Sequence, residues 1–381
     1  MKIVIVGAAG QVGAALLKHL SKRTDISVYG ITRNEFSALP LQWEGYDIKV
    51  GSISNLDECK KLLERADIII NAALHLGLPK IARMQNRIII KNILDVSKNK
   101  KVIHLSTVSV YGSCLDAKLS TFTKPIGDST YAKEKLRLEK YAIKEAKKIK
   151  ADFTILRLGH VFGPGQGLSK QFFDDIKNGQ PFLPFDGNIP SNAVHVNRLA
   201  DSIADYFIYN NLVGVNIFNA VNEPQISWRE MYDMHSIAGK LPIINGMLTE
   251  ESSFEQKIHK RNANRSLFFR IWISWIQWIK NLPIKSFLDQ HSVREGMDEL
   301  MLALPLTFEN NVYRKYQTFA AKHRVSIAHK KVAYPWYYSD PVSGPNFLSL
   351  TESINKKSIN IECEIEEIGV WYKQFAGPKW T

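Results

Sequence analysis

The chain opens on Lys2-Ile3-Val4-Ile5-Val6, an apolar and largely β-branched run. It passes at once into Gly7-Ala8-Ala9-Gly10-Gln11-Val12-Gly13, and then into an apolar-periodic segment over residues 14–20. A buried strand, a glycine turn and a helix in that order leave few folds open, because this is the context a nucleotide-binding glycine loop requires. Without Cβ atoms the glycines let backbone amides approach a pyrophosphate, and the following helix N-terminus favours its negative charge. Gly7, Gly10, Gln11, Val12 and Gly13 are therefore the first candidate cofactor contacts, at a G-x-x-G-x-x-G spacing. The opening is too short an apolar run for a signal peptide and lacks a cleavage pattern. No stretch reaches the ~20 apolar residues of a membrane span. A cytoplasmic location is expected.

Strand and helix patterns alternate from there. Residues 26–32 read as a strand ending in Arg33, at the position that faces the adenosine ribose in a doubly wound sheet. An acidic residue would bind the free 2′-hydroxyl, whereas Arg33 could pair with a 2′-phosphate, which points to NADP(H) in preference to NAD(H). Residues 46–50 and 66–71 read as strands, the latter ending in Asn71-Ala72-Ala73, with a helix over 56–65 between them. A long helical pattern over 80–98 precedes a fifth strand over 102–106, which runs into Thr107-Val108-Ser109-Val110-Tyr111-Gly112. Repeated strand–helix units imply a parallel sheet with helices on both faces and a ligand at the carboxyl ends of the strands.

Tyr131 and Lys135 are four residues apart and so share one face of a helix. An ammonium held beside a phenol stabilises the phenolate and lowers its pKa, so such a tyrosine can exchange a proton with a substrate hydroxyl. Other landmarks surround the pair in order. They are the glycine loop; Asn71-Ala72-Ala73; Asn86 with Lys91-Asn92-Ile93-Leu94; and Ser106-Thr107-x-x-Val110-Tyr111-Gly112. After Tyr131-x-x-x-Lys135 come Leu156-Arg157, Val161-Phe162-Gly163-Pro164-Gly165 and His195-Val196.

Over roughly residues 1–235 this series resembles the extended short-chain dehydrogenase/reductase superfamily, the NAD(P)-dependent epimerase/dehydratase group. The resemblance implies an α/β fold: a Rossmann-type doubly wound parallel sheet with a smaller, mainly helical C-terminal substrate-binding region. The domains expected are 1–165 for the cofactor, with 190–225 returning to it, and 166–189 plus 226–345 for the substrate; 346–381 is a C-terminal extension. It makes Tyr131 the acid/base, Lys135 the residue that lowers its pKa and holds the nicotinamide ribose, and Thr107 a hydrogen-bond partner of the reacting oxygen. Asn71, Ala72, Ala73 and Asn86 are implied to lie near the cofactor, and Ser52 and Ile53 near the adenine.

Three departures bear on the substrate. Gly51-Ser52-Ile53 stands where many members carry an adenine-binding Asp. His160 stands where sugar-nucleotide members often carry an asparagine before Val-Tyr-Gly-Pro. Val108-Ser109 follows Thr107 in place of the Asp-Glu pair that eliminates water, which argues against dehydration. His195 reads as a packing or hydrogen-bonding histidine and Cys114 as a small core residue. Three widely spaced cysteines suggest neither a disulfide framework nor a zinc site, and no metal is expected.

The net charge of +13 suggests an anionic partner. From 256 to 288 there are seven Lys or Arg and no Asp or Glu, around an apolar stretch with Trp272, Trp275 and Trp278. Its sixteen central residues would span about 24 Å as a helix, short of a ~30 Å hydrocarbon core. Either it is an interfacial helix on anionic lipid, at the inner face of the membrane, or it is buried against the sheet domain or a partner subunit. Nucleic-acid binding has only the charge behind it. The expectation is an oxidoreductase or epimerase acting on a phosphorylated sugar, nucleotide-linked or lipid-linked, for surface polysaccharide synthesis. A sterol- or lipid-type hydroxyl dehydrogenase and a non-catalytic cofactor-binding sensor are the alternatives. A homodimer through the helices over 80–98 and 130–148 is implied by the resemblance.

Overall fold

The computed structural model describes residues 1–75, 79–112, 124–127, 129–177, 187–188, 190–208, 210, 212–222, 225–243 and 361–375. Cys114, the tryptophan-rich segment 256–288 and most of the expected substrate region beyond 243 lie outside the described residues.

Strand β1 (Lys2–Val6) is followed by α1 (Gln11–Leu20), β2 (Ser27–Thr32), α2 (Glu35–Trp43), β3 (Ile48–Val50), α3 (Leu56–Leu63), β4 (Ile68–Asn71) and α4 (Pro79–Asp95). Then come β5 (Lys101–Thr107), a 3-10 turn (Val108–Tyr111), α5 (Thr130–Ile149), β6 (Asp152–Leu158), β7 (His160–Phe162) and α6 (Gly167–Lys177). The remainder is β8 (Ala193–His195), α7 (Val196–Ser202) with a π turn after it, β9 (Val215–Ala220), α8 (Trp228–Gly239) and α9 (Ile361–Phe375). Seven strands form one sheet in the order β3-β2-β1-β4-β5-β6-β9, parallel throughout, and β7 pairs with β8 beside it. The expected doubly wound sheet is what forms. The strand order reverses about β1, so the turn leaving β1 is the place where such sheets hold a ligand.

Alternation explains the layers. Ile3 and Ile5 pack on one face with Leu16, Leu17, Ile103, Leu156 and Leu199, while Val4 and Val6 pack on the other with Ile69, Ile90, Ile93, Phe153 and Ala142. Side chains point to opposite faces at successive positions, and a parallel sheet covered on both sides needs both sets apolar. Full burial of each Leu, Ile or Phe stabilises the fold by about 1.5–3 kcal/mol.

Residues 35–43, for which the sequence pattern offers no element, form α2. Asn34 caps it by accepting from the Ser37 amide at 2.9 Å, while Phe36, Leu39 and Trp43 stay exposed, so no apolar face marks the helix in the sequence. A third cluster, with Phe162, Phe172, Phe173, Trp228, Met231, Tyr232 and Ile368, gathers β7, α6, α8 and α9 into a small lobe. Residues 361–375, within the expected C-terminal extension, pack into it: Tyr372 stacks on Phe173 with ring centroids 3.8 Å apart. Among the described residues no helix is long and apolar enough to cross a membrane.

Candidate active site

The glycine loop is built as its chemistry requires. Gly7 has φ of +84°, and a Cβ there would lie 2.8 Å from the Ala73 backbone. A Cβ on Gly13 would come within 2.2 Å of the Gly7 carbonyl oxygen. Both positions therefore demand glycine. The Gly10 amide donates to the Gly7 carbonyl at 3.0 Å, and α1 begins at Gln11 with no side-chain cap and no acidic residue in its first turn. Helices α2, α3, α5 and α8, by contrast, are capped by Asn34, Asn55, Ser129 and Ser227. The open, positive end of α1 fits a diphosphate. The Gln11 side chain turns elsewhere: its amide oxygen accepts from the Gly167 amide at 3.2 Å, and Gln166 donates to its carbonyl at 3.0 Å. Val12 is partly buried against the sheet.

The other expected cofactor contacts fall into two kinds. Arg33 is exposed at the end of β2, and its charge is felt by His75 across the loop. Ala72 and Ala73 shape the turn after β4, where the Ala72 amide donates to the Val6 carbonyl. The rest are occupied by the protein itself. Asn71 is buried, donating to His104 Nδ1 at 3.1 Å and accepting from the Ala73 amide at 3.2 Å. Asn86 holds the His75 backbone, accepting from its amide at 2.7 Å and donating to its carbonyl at 3.2 Å. The Ser52 amide donates to Glu58 at 2.7 Å, and the Ile53 side chain belongs to the core. A sequence names these residues without naming their partners.

Thr107, Tyr131 and Lys135 come together. Thr107 ends β5 and caps the 3-10 turn: its hydroxyl accepts from the Ser109 amide at 3.2 Å and donates to Ser109 Oγ at 3.1 Å. Tyr131 lies close enough to Thr107 for the Thr107 side chain to favour the ionised form of its hydroxyl. Ser129 sets the start of α5, accepting from the Ala132 amide at 3.1 Å, which aims Tyr131 at the end of β5. Lys135, one turn on, is 7% exposed and donates to the Leu105 carbonyl at 3.3 Å.

The electrostatics differ from expectation at one point. Burial pushes the Tyr131 hydroxyl up to about 12, and the Thr107 side chain works against that push. Half of Tyr131 is open to solvent, so water offsets part of the rise. The lowering expected from Lys135 does not appear, because the ammonium is turned to the Leu105 carbonyl and is itself pushed down to about 8 by burial, with Glu139 opposing. His104, behind Lys135, is held down to about 3 by burial and by that lysine.

Ser109 is the hydrogen-bond partner of Thr107 that no sequence motif singles out. His195 is a structural residue as expected, capping α7 through Nδ1 and meeting Phe162 edge-on at 5.0 Å. His160 packs against Trp228 at 5.3 Å and is pushed down to about 4 by burial. Among the described residues no group of His, Cys, Asp or Glu could hold a metal ion.

The model of the NAD dependent epimerase/dehydratase family matches residues 3–214. Among solved structures, dTDP-glucose 4,6-dehydratase from Bacillus anthracis in complex with NAD aligns at 14% identity and TM-score 0.62, covering 100% of this chain and 98% of that one. UDP-glucuronic acid 4-epimerase from Bacillus cereus, with UDP-glucuronic acid and NAD, aligns at 21% identity and TM-score 0.55, covering 66% and 86%. UDP-glucose 4-epimerase from Thermotoga maritima, with UDP-glucose, aligns at 17% and 0.54, covering 65% and 85%. At these identities the likeness establishes the fold. No curated protein matches the chain.

Proposed function

Because the chain belongs to the NAD dependent epimerase/dehydratase family, within the extended short-chain dehydrogenases/reductases, we propose that it transfers hydride at a secondary alcohol or ketone carbon of a phosphorylated sugar. The sugar is nucleotide-linked or lipid-linked, and the step serves surface polysaccharide synthesis. The observation that carries this reading is the placing of Tyr131 beside Thr107 at the end of β5, with Lys135 one helical turn away.

The bound nicotinamide supplies the hydride acceptor or donor. The protein's own residues handle the oxygen. Thr107 and Tyr131 present two hydroxyls to one substrate oxygen, and Tyr131 takes the alcohol proton as the carbon is oxidised or returns it on reduction. Lys135 is the residue assigned to the nicotinamide ribose. Val108 and Ser109 provide no acid/base pair for eliminating water, so epimerisation or simple oxidation and reduction fit better than dehydration.

The cofactor we assign is NAD(H), supported by the family description and by the NAD complexes among the structural neighbours. Arg33 is the feature that would favour NADP(H), and comparing the two dissociation constants tests it. A lipid alcohol is the second reading of the substrate, favoured by His160 packed on Trp228 where an asparagine was expected. Pairing with a second copy through α4 and α5 is proposed as well. The two helices are joined by Arg83 to Glu134 at 2.7 and 2.6 Å, and Met84 is 48% exposed beside them. Peripheral contact with the inner membrane face would rest on residues 256–288 and needs vesicle flotation.

Tyr131→Phe should lower turnover by about 10²–10⁴-fold while leaving the NAD dissociation constant within about twofold. A panel of nucleotide sugars and lipid alcohols, followed by nicotinamide absorbance and by product, is the assay. Unchanged turnover in the variant would overturn the mechanism.

A further inference from the structure

Tyr131, Lys135 and Glu139 recur every four residues and so share one face of α5. Glu139 is 1% exposed, and the hydride chemistry does not call for it. A buried carboxylate is costly unless paired and hydrogen-bonded, so its partners indicate what it is for. Arg157 of β6, 3% exposed, donates to it through Nη2 at 2.8 Å and through Nε at 3.2 and 3.3 Å. Ser106 donates to it at 2.5 Å. Arg157 Nη1 donates to the Tyr111 hydroxyl at 2.9 Å, which donates in turn to Asn219 Oδ1 at 2.8 Å, and the guanidinium lies 4.8 Å from the Tyr111 ring centroid.

The sheet register builds this network. Ser106 is paired with Arg157 across β5 and β6, and Arg157 with Asn219 across β6 and β9. Three of its members flank reacting groups in the chain. Ser106 precedes Thr107, Tyr111 ends the turn that Thr107 caps, and Glu139 lies one turn beyond Lys135.

Resting on the function proposed above, we propose that Glu139, with Arg157, is a positioning residue of the catalytic centre. It locks α5 in register with the end of β5, so that the Tyr131 and Thr107 hydroxyls meet, and its carboxylate sustains the charge of Lys135. The titratable and charged groups around Lys135 among the described residues are Glu139 and Tyr131 on its own helix, His104 on β5 and Arg157 on β6. His104 is neutral near pH 7 and Tyr131 keeps its proton there, and Glu139 is the group that supports the lysine charge against burial. A purely structural ion pair would fix the fold without tuning that lysine.

The experiment follows the Lys135 ammonium by NMR in the cofactor-free protein, with ¹³C-methylated lysines and Lys135→Arg for assignment. In Glu139→Gln, which keeps shape and loses charge, the Lys135 midpoint should fall by about one unit. The high-pH limb of kcat should move with it, and kcat should drop by about 10²-fold with KM little changed. Tyr111→Phe, which keeps the ring over the guanidinium, separates the two roles: kcat falls and the Lys135 midpoint stays. If Glu139→Gln does not fold, Tyr111→Phe and Ser106→Ala carry the test of register, each expected to lower kcat. An unmoved Lys135 midpoint in folded Glu139→Gln, or full kcat in the two hydroxyl variants, overturns the inference. The lysine titration needs no substrate, so its failure is distinct from a Tyr131→Phe enzyme that stays active, which would sink the functional reading itself.

Discussion

Asn86 and Gly13 carry the clearest consequences at the scale of single residues. Asn86 spends both ends of its amide on the His75 backbone, and a hydrogen bond of this kind contributes about 0.5–1.5 kcal/mol net. Asn86→Ala should lower the unfolding free energy in urea by about 1–3 kcal/mol on that basis. NAD affinity should weaken with it, because the loop beside the glycine turn loosens. Intact affinity would mean that residues 72–75 do not bear on the cofactor. Gly13→Ala should leave the fold in place and weaken NAD binding by tenfold or more, on the order of 1.4 kcal/mol, since the new methyl must displace the Gly7 carbonyl. Isothermal titration reads both. The need for glycine was legible in the sequence, because it is a local demand of the backbone. The use of Asn71 and Asn86 was not, because a side-chain amide declares its partner only when another strand or loop arrives beside it.

Among the elements, α9 shows what periodicity can and cannot say. The sequence placed it in a C-terminal extension, and nothing in the pattern announced the surface it would cover. Ile368 is fully buried, Arg198 donates to Glu364 at 2.5 Å, and Asn197 donates to Glu367 at 2.5 Å. A Cβ on Gly369 would lie 2.6 Å from the Ala238 carbonyl oxygen, so α8 and α9 cross closely there. Ile368→Ala should cost about 2–5 kcal/mol of stability and open the C-terminus to protease before the sheet unfolds. Calorimetry with limited proteolysis checks this; release of α9 only together with global unfolding would show that the lobe and sheet form one cooperative unit. Helix α2 is the converse case. Pro40 inside it and Phe36, Leu39 and Trp43 on its exposed side hide it from a reading based on an apolar stripe.

At the scale of the whole molecule, buried neutral histidines set a pH dependence. His104, His195 and His235 are at most 1% exposed, and burial holds them down to about 3, about 3 and about 4. The unfolded chain protonates each near 6.5, so between about pH 6.5 and 4 it binds more protons than the folded protein, and stability falls as pH falls. With three groups the slope approaches about 4 kcal/mol per pH unit near pH 5. Urea unfolding from pH 7 to 5 measures it, and a flat profile would mean that the rings titrate in the folded state. The sequence by itself determined the order of strands and helices as far as β5, α2 excepted, the two apolar faces of the sheet and the glycine turn, because period and backbone freedom are local properties. Only the tertiary structure decided that Thr107 meets Tyr131, that Lys135 turns to the Leu105 carbonyl, and that Glu139 and Arg157 share a buried network. Those pairings depend on which strands become neighbours and in what register, and crossovers linking distant parts of the chain fix both.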